Sequence, residues 1–133
     1  MKKLIALLCL SLFAFAGLAV ADSHMKPEAK PELRPLQKIM QARAAWMKAM
    51  NENLAAKKFD EVAKDASALS AQAATVGEKA PNPLAKELHL KVSGLAKAAA
   101  GAAAKKDEAA VKAKLGEIKA TCAECHAKIR DKK

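Results

Sequence analysis

Beyond residue 33 the apolar residues recur every three or four positions, the period of an amphipathic helix. A first helix carries the seam Leu36, Met40, Met47, Met50 and Leu54, with Arg43 filling one seam position. Pro35 suits its first turn, where a missing N–H loses no partner. The second helix repeats the rhythm with Val62, Ala66, Leu69, Ala73 and Val76, with Asp60 the expected N-cap and Gly77 the expected C′ residue. Ala80-Pro81-Asn82-Pro83 breaks the pattern. A third helix then carries Leu84, Leu88, Val92, Leu95, Ala99 and Ala102. The fourth, entered through Lys105-Lys106-Asp107 with Asp107 as its cap, carries Val111, Leu115, Ile118, Cys122, Cys125 and Ile129. No segment alternates with the period of a strand. Four amphipathic helices with short connections predict an all-α, antiparallel up-down four-helix bundle over residues 34–133.

The N-terminus follows another logic. Lys2 and Lys3 precede an uncharged, largely apolar run from Leu4 to Val20, and Ala19-Val20-Ala21 is a small-residue cleavage pattern. This predicts a signal peptide over residues 1–21, removed on export to the periplasm. A retained anchor fits less well, because seventeen residues from Leu4 to Val20 is short for a membrane span and no basic stop-transfer cluster follows directly. A lipoprotein would begin at Cys9, but Leu8 is bulky for the position before such a cysteine. Residues 22–33, with two prolines and several charges, read as a tail.

Removal of the signal changes the composition in two ways that matter. It takes away Phe13 and Phe15, leaving Trp46 and Phe59 as the aromatics of an alanine-rich chain. A domain of about a hundred residues with so little bulky core is marginal, and a large apolar prosthetic group would fill the gap. Removal also takes away Cys9, leaving Cys122 and Cys125 as one close pair in an oxidising compartment. Loss of Lys2 and Lys3 brings the net charge from +10 to +8, spread along every helix. Without a recognition motif or interleaved aromatics this predicts no nucleic-acid binding, but a solvated basic surface suited to acidic protein partners. After cleavage no membrane attachment is expected.

The chemistry concentrates in Cys122-Ala123-Glu124-Cys125-His126, the Cys-x-x-Cys-His signature of c-type haem attachment. On a helix, Cys122, Cys125 and His126 share one face, so two thiols can form thioethers while the imidazole reaches the iron. A thioredoxin-type dithiol would want a βαβ context, and zinc would want four ligands, with His24 and His89 the remaining histidines to help. The expected cofactor is one covalent haem c. No Ser-His-Asp pattern, paired carboxylates or phosphate loop suggests enzymatic turnover.

A haem signature in the last helix of a four-helix bundle resembles the class II cytochromes c, the group of cytochrome c-prime and its low-spin relatives. The resemblance is strongest from Leu115 to Lys133, where Cys-Ala-Glu-Cys-His-Ala-Lys-Ile-Arg is similar to the family's Cys-x-x-Cys-His-x-x-Tyr-Arg, with Ile129 in place of the tyrosine. It implies that Arg130 sits near a haem propionate. It also implies a distal position four residues after the arginine of an Arg-Gln pair; set on Leu36-Gln37, where leucine replaces the arginine, that position is Met40. Relatives with methionine there are six-coordinate electron carriers, and those with an apolar residue are five-coordinate and bind nitric oxide or carbon monoxide. A thioether opposite a histidine suits haem iron, although seam methionines such as Met40, Met47 and Met50 are also ordinary core residues. His89, one position off the third seam, offers bis-histidine ligation, and His24 in the tail is a weaker candidate.

The expectation is therefore a periplasmic, monohaem, one-electron carrier with His126 and Met40 as axial ligands. Its rivals are a five-coordinate gas-binding protein of the c-prime kind and a metal-binding or interaction bundle without haem. Relatives often dimerise through their first two helices, so a homodimer is part of what the resemblance implies.

Overall fold

The computed structural model describes residues 34–131, and the expected signal peptide, tail and His24 lie outside them. Four helices follow one another: α1 (Pro35–Ala55), α2 (Phe59–Lys79), α3 (Pro83–Ala104) and α4 (Glu108–Cys125), the last continued by a π-helical turn, His126–Arg130. Three-residue connections force each helix to turn back on its predecessor, giving the up-down bundle. Among the described residues no helix is long and apolar enough to cross a membrane.

The predicted seams form most of the core, but along the second half of α3 the buried stripe is Ala96, Ala99 and Ala103, with the expected Leu95 and Ala102 only partly buried. Met50, Leu54, Val62, Leu69, Val92, Val111, Leu115 and Ile118 are buried, together with Ala66, Ala73, Ala96, Ala99 and Ala103. Packing is uneven. The α2–α3 interface is the most extensive, and the contact between α1 and α4 is slight. Small side chains let α2 and α3 come close enough for Ser70 and Ser93 each to donate to the other's carbonyl oxygen, both at 2.9 Å. Gly77 belongs to the same approach: a Cβ there would lie 3.1 Å from the His89 Cβ. It is therefore a buried interior residue of α2, and not the expected C′ residue. The helix ends at Lys79 because Ala80 is held extended ahead of Pro81.

Other local expectations divide in the same way. Asp107 accepts from the Ala110 N–H at 3.0 Å and caps α4 as expected. Asp60 does not cap α2; Lys58 stands at that position and Asp60 lies in the first turn, where a carboxylate favours the positive end of the helix. Leu36 is exposed, so the buried side of α1 begins a turn later than the seam suggests.

Both α1 and α3 end in a Schellman motif. Lys58 N–H donates to Asn53 and Lys57 N–H to Leu54; Asp107 N–H donates to Ala102 and Lys106 N–H to Ala103. Lys57 and Lys106 consequently sit at φ 57°, a conformation that strains a side-chain-bearing residue. Lys106→Gly should raise stability by about 0.5–1 kcal/mol, readable in urea melts. Lys57→Gly should gain less, because Lys57 also reaches Glu108 at 2.9 Å.

Candidate haem site

One cavity is lined by α1, α3 and the end of α4. Its volume is about 350 Å³, within the range of roughly 300–1,000 Å³ typical of small-molecule sites. α1 contributes Met40, Arg43 and Met47; α3 contributes Leu88, His89 and Val92; the end of α4 contributes Thr121, Cys122 and Cys125; and the π-helical turn contributes His126. Cys122, Cys125, His126 and Met40, up to 86 residues apart in sequence, thus line one cavity. Met50 is fully buried in the core and away from this wall.

Both cysteines are free and half-buried. Burial raises the Cys122 pKa, partly opposed by the Arg43 charge. Burial raises that of Cys125 as well, again against Arg43. Both are therefore protonated thiols at neutral pH, unlike the thiolate that dithiol exchange requires. The π-helical turn begins at His126, where Asp131 N–H donates to the His126 carbonyl at 2.9 Å. Such turns recur at functional sites, since the wider turn re-aims the side chains that follow. Arg130 does not line the cavity. It is exposed, and its Nε donates to Asp131 Oδ1 at 2.7 Å.

The network that sequence reasoning missed centres on Arg43, 5% exposed. Its Nε donates to Gln72 Oε1 at 3.0 Å, and its Nη1 donates to His89 Nδ1 at 3.1 Å. One arginine thereby ties α1 to α2 and α3. Because a guanidinium can only donate, His89 Nδ1 must accept, and the ring proton sits on Nε2. Burial, followed by the Arg43 charge, holds the His89 pKa down and keeps the ring neutral. Burial also lowers the pKa of Arg43, whose Nη2 is buried without a partner. An arginine on an otherwise apolar seam was the available signal. A histidine one position off the next seam was its complement.

These residues fit a haem on chemical grounds. Two uncommitted thiols, an imidazole and thioethers meet at a largely apolar wall, and a buried guanidinium retains free donors beside them. No protein-family model, no curated protein and no solved structure matches this chain.

Proposed function

We propose that this protein is a periplasmic, monohaem c-type cytochrome that carries single electrons. The observation that carries the reading is the convergence of Cys122, Cys125, His126 and Met40 on one cavity. Cys122 and Cys125 would anchor the porphyrin by thioether bonds, and His126 and Met40 would be the axial ligands. Bound there, haem supplies one-electron redox chemistry. The chain's own contribution is to fix the ring through two attachment points on one helical face and to shield it with Leu88 and Val92.

Met40 is preferred to Met47 by level along the bundle. Met40 lies five residues into α1, and His126 opens the turn that ends the antiparallel α4. At 1.5 Å per residue Met40 is roughly 8 Å from that end of the bundle and Met47 roughly 18 Å. The hydrogen bonding of His89 argues against bis-histidine ligation. A ligating imidazole donates its second N–H to an acceptor, whereas the Nδ1 of His89 faces a donor. Acidic redox partners remain the partners suited to the basic surface, and a homodimer remains part of the family resemblance.

The test is intact mass. Protein produced with a haem-maturation system should exceed the cleaved polypeptide by one haem that acid extraction does not remove. A mass equal to the bare chain would end this reading.

A further inference from the structure

Among the described residues Arg43 is a buried cation without a paired anion. Its two named partners, Gln72 and His89, are neutral, and they use two of its five N–H donors. Three donors remain, and Nη2 is buried with none of its own satisfied. An unpaired buried charge is among the most unfavourable features a fold can keep, and breaking such a charge away from its counter-ion is strongly destabilising. Among the described residues no aspartate or glutamate lines the cavity, while Lys48 and Lys119 add two further positive charges to its wall.

We propose that Arg43 anchors a carboxylate-binding subsite in the cavity, its outer N–H groups holding a carboxylate of the cavity's occupant. The cavity, the buried guanidinium and the absence of a lining carboxylate carry the subsite. The proposed cytochrome function enters in one respect, the carrier of the carboxylate: with haem in place it is a propionate, and without haem it is a free carboxylate. Guanidinium and carboxylate match in shape and charge, and the planar fork can bind both oxygens. Arg130, the residue that family resemblance puts near a propionate, is already engaged with Asp131 and stands outside the cavity wall.

The experiment compares mature wild-type protein with Arg43→Gln and Arg43→Lys, each weighed first for covalent haem. In the haem-loaded proteins the propionate bending band of the resonance Raman spectrum should move in Arg43→Gln and move less in Arg43→Lys. A band unmoved in both excludes propionate as the carboxylate. The second arm replaces sodium chloride by sodium acetate at constant ionic strength and follows the melting temperature. Acetate should raise it by a few degrees in wild type, and not in Arg43→Gln, only where a free carboxylate is the occupant. If neither signal depends on Arg43, the subsite does not exist. A protein whose mass shows no haem loses the cytochrome reading, and the acetate arm alone then decides the subsite. Should Arg43→Gln fail to fold, Arg43→Lys carries the comparison, because it keeps the charge and loses the fork; an unmoved band and an unaltered acetate response in that variant overturn the proposal.

Discussion

A chain with both Cys122→Ala and Cys125→Ala, purified without haem, should melt tens of degrees below the loaded protein or show no cooperative melt. The reason lies in what the bundle buries. Its largest fully buried side chains are Met50, Leu69, Ile118, Val62 and Val111, and alanines fill much of the remainder. Trp46 and Phe59 are half-buried at the margin of the core. Covering the apolar wall of the cavity, at about 25 cal/mol per Å², would contribute about 3 kcal/mol. That is a substantial share of the stability of a domain of this size, about 5–15 kcal/mol. At about 4–8 °C per kcal/mol the difference is plain in a circular-dichroism melt. A haem-free variant that melts cooperatively near the loaded protein would contradict this.

Met40→Ala should convert the loaded protein from low spin to high spin and open the iron to carbon monoxide. The weak long-wavelength charge-transfer band that marks a thioether on ferric haem should vanish with it. Met47→Ala supplies the contrast, since it lines the same cavity from two turns further along α1. It should lower stability by about 2 kcal/mol through lost packing and leave the spin state alone. A wild-type spectrum that is already high spin would favour the five-coordinate, gas-binding alternative. A low-spin protein indifferent to Met40→Ala but converted by His89→Ala would restore bis-histidine ligation.

The periodicity of the chain was enough to read the four helices and the core, because each helix buries one stripe and Leu69, Val92 or Leu115 can only sit on it. The Cys-x-x-Cys-His face was equally legible, since its geometry is local to one helix. What escaped were features that depend on two helices at once. Gly77 looks like a helix end until α3 is laid against it and the His89 Cβ comes within 3.1 Å of where a Cβ would stand. Arg43 looks like an interruption of a seam until Gln72 and His89 arrive from two other helices. Gln37, one half of the pair that sets the family register, has a local task as well: its side-chain oxygen accepts from the Arg34 N–H at 2.8 Å. Asp60 shows the opposite failure, a good capping residue two positions past the cap that the chain uses.

The uneven packing of the bundle has a consequence for its assembly. α2 and α3 are joined by three residues, share the most extensive interface and are pinned by the Ser70–Ser93 pair. Their contacts are close in sequence, and such hairpins close early in folding. α1 and α4, which contact each other only slightly, both contribute residues to the cavity. The α2–α3 hairpin can thus form as a template before α1 and α4 dock on it. On the proposed haem reading, that order would leave Cys122 and Cys125 accessible for thioether formation before Arg43 ties α1 to Gln72 and His89.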